Sequence, residues 1–246
     1  MIHSKYRIIS ISVVTATFLI SLFCGQIAFA QGQKGLNYII GFDYNLRPVS
    51  PKLTSRNSGK SITFSNVIHS YKIKGGITFL TYNILYMGIE VQAGGISDVS
   101  TTKFTSDTKI KKFDYDLKAQ GFFVGYQAYF GKQTKRNYNF YGGAEFASTN
   151  YSTQYGGGGI FHKHKINAST SSVNLFLGAN YLLGSADFHL ELIFSDNKGI
   201  DKKTIDVDYK HTDTKNPSNN VTYKDTFTNT TDLGGISLSF GILKYM

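Results

Sequence analysis

The side chains of this sequence that could do chemistry fall into three groups. His189, Glu191 and Ser195 lie two and four residues apart. At the strand period of two they share one face, so His189 and Glu191 could pair as a base and its orienting carboxylate, or as half a metal site. No third ligand and no matched nucleophile accompanies them, so no catalytic residue, metal or cofactor is expected. The second group is Gly156-Gly157-Gly158-Gly159 followed by His162-Lys163-His164-Lys165. The glycine run lacks the strand–loop–helix setting and the Gly-Lys-Ser/Thr ending of a phosphate cradle, which predicts a flexible loop tip and a solvated His/Lys segment. The third group, Asp43, Lys72, Lys74, Glu90 and Glu145, is dispersed, each residue standing within an apolar/polar alternation. No zinc-spaced cysteines, dinucleotide fingerprint or nucleophile elbow is present.

The alternation is what must position these groups. Leu36, Tyr38, Ile40, Phe42, Tyr44 and Leu46 interleave with Asn37, Ile39, Gly41, Asp43 and Asn45, and Val173, Leu175, Leu177, Ala179 and Tyr181 interleave with Asn174, Phe176, Gly178, Asn180 and Leu182. Eight such segments are read, at 36–46, 71–82, 85–95, 116–130, 137–148, 172–183, 186–195 and 234–245. An outward apolar face on strands of about 9–11 residues is what a tilted strand needs to cross a bilayer. The predicted fold is all-β: an eight-stranded antiparallel up-and-down transmembrane β-barrel.

The ends of the chain carry their own signals. Lys5 and Arg7, the apolar stretch from Ile8, and Ala28-Phe29-Ala30 predict a cleaved signal peptide over residues 1–30, leaving 31–246 as the barrel. Cleavage removes Lys5 and Arg7 and takes the formal charge from +10 to +8. The one cysteine, Cys24, lies in that leader, so no disulfide or thiolate chemistry is expected in the mature chain. In a secreted chain the basic balance points to anionic headgroups or surface polysaccharide as partners, not to nucleic acid.

Connections alternate in length. Asn83-Ile84, 131–136 and Gly184-Ser185 are short, whereas 47–70, 96–115, 149–171 and 196–233 are long. All three prolines, Pro48, Pro51 and Pro217, fall in the long connections. Short turns at one rim and long loops at the other mark outer-membrane barrels, with the short side periplasmic.

In this architecture and in its last strand the chain resembles the small eight-stranded outer-membrane barrels of the OmpX and OmpA-transmembrane-domain kind. The resemblance implies a Gram-negative outer membrane, extracellular loops and periplasmic termini. It also implies lipid and lipopolysaccharide as surroundings. Ile236, Leu238, Phe240 and Ile242, with Tyr245, would be the signal strand read by the barrel assembly machinery; Lys244 and Met246 depart from the family's aromatic ending. Lipid A hydrolases of similar size place a His, a Ser and an acid on the lipid-facing wall. Here His189, Glu191 and Ser195 face the other way, and no enzyme is expected.

An eight-stranded barrel is only just wide enough for its side chains to fill it. Asp43, Lys72, Lys74, Glu90, Glu145, His189 and Glu191 are therefore expected to form a paired lumen network, with Gly41, Gly76, Gly88, Gly125, Gly143, Gly178 and Gly241 making room. Tyr44, Tyr71 and Tyr126 or Phe122 would form one aromatic girdle. Tyr82, Phe130, Tyr138, Tyr181, Phe188 and Tyr245 would form the other. Arg47, Lys52, Arg56, Lys60, Lys163 and Lys165 would be basic surface-loop residues. Residues 204–209 and 221–224 would form a hairpin extending the last two strands, or two further strands of a ten-stranded barrel. The expected function is a non-enzymatic surface barrel presenting basic polar loops, structurally or in adhesion to a surface protein, polysaccharide or lipopolysaccharide. The alternatives are a narrow small-solute channel and a lipocalin-like carrier of an apolar ligand.

Overall fold

A computed structural model describes residues 37–79, 83–100, 112–130, 138–157, 161–183, 186–197, 200–211, 216, 218 and 221–246. The signal-peptide segment 1–30, Leu36, Tyr82 and Pro217 lie outside these residues.

Eight strands close the barrel in sequential order: β1 (Asn37–Val49), β4 (Asn66–Phe79), β5 (Asn83–Ser100), β6 (Lys112–Tyr129), β7 (Tyr138–Gly157), β8 (Phe161–Leu183), β9 (Ala186–Ser195) and β12 (Gly235–Tyr245). β12 pairs antiparallel with β1 to seal the seam. The remaining four strands, β2 (Lys52–Ser55), β3 (Ser61–Thr63), β10 (Ile200–His211) and β11 (Val221–Thr231), form a separate sheet in the order β10-β11-β2-β3. Burial alternates strictly along β9 and through most of β1, because successive side chains point to opposite faces of a strand. The outward face is apolar: Ile40, Phe42, Met87, Ile89, Leu175, Leu177, Leu190, Phe194 and Ile242 are all exposed, Met87 at 62% and Phe140 at 65%. So large a continuous apolar surface is stable only when something other than water covers it, and a bilayer does so around the whole circumference. It is also the reverse of a lipocalin, whose apolar face is inside.

The barrel has eight strands, as expected. Several other sequence expectations are corrected. The 200–231 hairpin neither joins the barrel as two further strands nor extends β9 and β12. Instead β11 pairs with β2, in the register Phe227 opposite Ser55 through Thr230 opposite Lys52. The segment 149–171 is largely strand rather than loop, and so are residues 96–100 and 112–115 of the segment 96–115, since β5 to β8 continue well past the apolar band. Lys163 and Lys165 consequently belong to β8. Asn83 and Ile84, read as a turn, belong to β5, which begins at Asn83. Pro48 sits in β1 with its side chain outward.

The second sheet is a cap over the long-loop mouth. Leu53, Ile62, Phe64, Phe227 and Leu233 from the cap region pack with Val49, Ile68, Tyr115, Leu117, Tyr151, Tyr155 and Ile166 from the raised barrel wall. Phe64 lies 5.6 Å from the Tyr115 ring and 6.0 Å from the Tyr155 ring. Polar ties fix the cap to itself and to the wall: Ser55 donates to Asp225, Tyr155 donates to Asn229, and Asn197 donates to the Tyr151 hydroxyl at 3.1 Å.

Candidate functional site

The candidate site is the barrel lumen below the cap. Asp43, Lys72, Lys74, Glu90, Glu145, His189 and Glu191 all point into it and are buried. Their parity along the strands does this: each stands in phase with the apolar-out pattern, so its side chain is directed inward.

Pairing is dense. Lys72 donates to Glu145 at 2.5 Å from across the lumen, and Asn174 donates to the same oxygen at 3.0 Å. Asp43 accepts from Lys74 at 2.9 Å and faces His189 Nε2 at 2.9 Å. Glu191 accepts from the Tyr141 hydroxyl at 2.9 Å and lies 3.9 Å from His189. Glu90 accepts from Ser70. The ammonium groups also lie over rings, Lys72 at 4.6 Å from Phe123 and Lys74 at 5.2 Å from Tyr86. Each lysine therefore has both a carboxylate and an aromatic face, without which burying it would cost several kcal/mol.

Glycines make these contacts possible in a regular way. In a cross-strand row a residue normally touches only its immediate neighbours. Gly241 stands in a row between Asp43 and His189, and an added Cβ there would strike both side chains. Gly178 stands between Tyr141 and Glu191, and its Cβ would meet the Tyr141 ring. Gly125 stands between Tyr86 and Glu145, beneath the Tyr86 ring. Each glycine lets its two flanking residues lean together over the bare backbone.

Four placements were not anticipated. Arg47 was expected on a surface loop; it is buried at 7% and faces the lumen, because β1 keeps its parity through Pro48. Tyr245, expected in the lipid-facing girdle on the short-turn side, points inward instead and donates to Asp187 at 2.7 Å. Asp187 also accepts from Asn180 at 2.5 Å and Tyr129 at 3.2 Å, closing the short-turn end of the lumen with a cluster the sequence reading missed. The alternation did contain the signal, since residues 187 and 245 share parity with 189 and 243. Tyr126 belongs to the short-turn rim, where it donates to Asn83. Of the outward tyrosines, Tyr44 and Tyr71 stand 5.3 Å apart and Tyr138 and Tyr181 4.9 Å apart.

Of the surface cations, Lys52, Arg56, Lys60 and Lys165 are exposed, the first three on or beside the cap strands; the Lys163 side chain lies outside the described residues. Ile236, Phe240 and Ile242 face outward on β12, and Leu238 is half-buried. Ser195 accepts from the Asn197 amide at 3.3 Å at the far end of β9. At about 3.3 Å per residue it stands roughly 20 Å from His189, so the two cannot act together.

No family model and no curated protein matches the sequence. Among solved structures, the chain is similar to the outer membrane protein OprG from Pseudomonas aeruginosa, at 15% identity over 88% of this chain and 98% of that one, TM-score 0.48. It is also similar to Neisserial surface protein A, at 13% identity over 86% and 99%, TM-score 0.41. A third similar structure is the Yersinia pestis attachment invasion locus protein Ail bound to the heparin analogue sucrose octasulfate, at 9% identity over 86% and 99%, TM-score 0.42.

Proposed function

We propose that this protein is a non-enzymatic outer-membrane barrel of a Gram-negative bacterium. Its long-loop rim would lie outside the cell and its termini in the periplasm. Its cap would engage anionic polysaccharide at the cell surface. The observation that carries this is the combination of a filled lumen and a folded cap. Solute passage would require breaking the Lys72–Glu145 and Asp43–Lys74 pairs and then the apolar plug around Phe64. What remains available to a partner is the outer surface of the cap. Its β2–β3 hairpin exposes Lys52, Arg56 and Lys60 and contains no acidic residue. Clustered cations of this kind attract sulfated or phosphorylated sugars in a salt-dependent way.

The test has two parts. A single cysteine at Ser218, at the exposed tip between β10 and β11, should react with a membrane-impermeant maleimide on intact cells. Purified protein in detergent should be retained on a sulfated polysaccharide and released by salt, and the variant with Lys52, Arg56 and Lys60 all replaced by Ala should pass through. Labelling only after cell lysis would overturn the orientation. Absence of retention together with steady conductance in planar bilayers would replace the proposal with a small-solute channel.

A further inference from the structure

A shallow groove of about 640 Å³ runs along the outside of the wall formed by β5 to β8, where the apolar band gives way to polar strand. Its position follows from the strand register. One cross-strand row holds Met87, Val124, Phe146 and Val173, which face lipid. Two rows higher, Val91 is followed by Gln120, Asn150 and Ser169; in the next row stand Lys118, Ser152 and Asn167. The polarity of the outer wall therefore reverses within two outward-facing rows, the four residues from Met87 to Val91, or roughly 13 Å at about 3.3 Å per residue.

We propose that this groove seats the headgroup of an anionic membrane lipid bearing phosphate and hydroxyl groups. Its acyl chains would lie down the wall over Phe122 and Val124. The proposal rests on the membrane-spanning part of the preceding section and not on the polysaccharide part.

Three features favour that occupant. Lys118 is exposed in the groove and makes no hydrogen bond or ion pair among the described residues, so its ammonium can meet a phosphate directly. Ser169 donates to the Asn150 Oδ1 at 2.7 Å, which occupies the amide oxygen and leaves the NH₂ group as a donor for a hydroxylated ligand. The groove is continuous with the apolar face below, so headgroup and tails are accommodated together. A water-soluble anion would use only the upper half.

Native mass spectrometry of the full-length mature barrel would test this, comparing bound phosphatidylglycerol with phosphatidylcholine. The wild type should prefer the anionic lipid about fivefold, the effect of one lysine near an anionic surface. Lys118→Gln should abolish the preference, and Lys52→Gln on the cap should leave it intact. Glycerol phosphate, which carries the same polar groups without tails, should not compete. Equal binding of both lipids, or a preference unchanged in Lys118→Gln, would overturn the groove while leaving the barrel reading standing. Competition by glycerol phosphate would assign the groove to a soluble anion instead. A barrel that bound neither lipid would likewise overturn the groove, whereas protein that stayed in solution without detergent would overturn the membrane reading itself.

Discussion

Replacing Glu145 by Leu should be among the most damaging single changes in the lumen, and the loss should be recovered by a second change. Glu145 is buried at 5% and accepts from both Lys72 at 2.5 Å and Asn174 at 3.0 Å. Removing it strands a lysine that is itself only 3% exposed, at a cost of about 3–5 kcal/mol for an uncompensated buried charge. The orphaned Asn174 amide adds about 1–3 kcal/mol. Lys72→Met should cost a similar amount by leaving Glu145 and Glu90 short of a cation. The double variant Lys72→Met/Glu145→Leu replaces the pair with apolar groups of similar volume, an exchange that is often neutral. It should therefore be more stable than either single variant. The assay is urea unfolding of protein refolded in detergent or vesicles, with the folded fraction read as the fast-migrating band of unboiled samples. Single variants within about 1 kcal/mol of the wild type, or a double variant whose cost equals the sum of the two, would refute the network as a stability determinant.

Three further outcomes follow from the same geometry. Gly125→Ala should destabilise by about 1–3 kcal/mol through collision with Tyr86, and adding Tyr86→Leu should recover part of the loss in the same urea assay. Asp187→Leu leaves Tyr129, Tyr245 and Asn180 without their shared acceptor, so the urea midpoint should fall, by about 1–3 kcal/mol for each donor left unpaired. Phe64→Ala should remove about 3–5 kcal/mol from the cap, seen as faster proteolysis between residues 50 and 65 while the barrel keeps its heat-modifiable mobility.

Barrel closure was legible because period-two alternation is a direct consequence of strand geometry. The apolar face of 186–195, for example, predicted β9 to the residue. Inward charges such as Lys72 and Glu145 were legible for the same reason. What sequence parity could not supply was which residues meet across the lumen. Lys72 and Glu145 lie 73 positions apart on strands that are not neighbours, and only closure brings them together. The upper wall was missed because β5 to β8 turn from apolar to Ser, Asn and Gln outside while remaining apolar inside, as at Tyr151 and Ile166, which in a linear reading resembles a polar loop. The cap was missed because β2 is four residues and β3 three, too short to show a period, and the partner of β2, β11, lies about 170 positions away, as the Ser55–Asp225 bond shows.

The Gly241 row also bears on how the barrel completes itself. β1 and β12 are the first and last strands of the ring, and their pairing is the seam. Asp43 belongs to β1, whereas its partner His189 belongs to β9 on the far side of β12, so their contact passes over the seam strand at its glycine. Until the seam shuts, Asp43 retains only Lys74, and His189 faces Glu191 at a longer distance. The last step of assembly therefore acts as a latch. The ladder hydrogen bonds of the seam and a buried polar contact form in one event, and a ring left slightly ajar gains neither. An incompletely inserted chain has no comfortable halfway state to settle in, and a finished one has no easy place to begin opening.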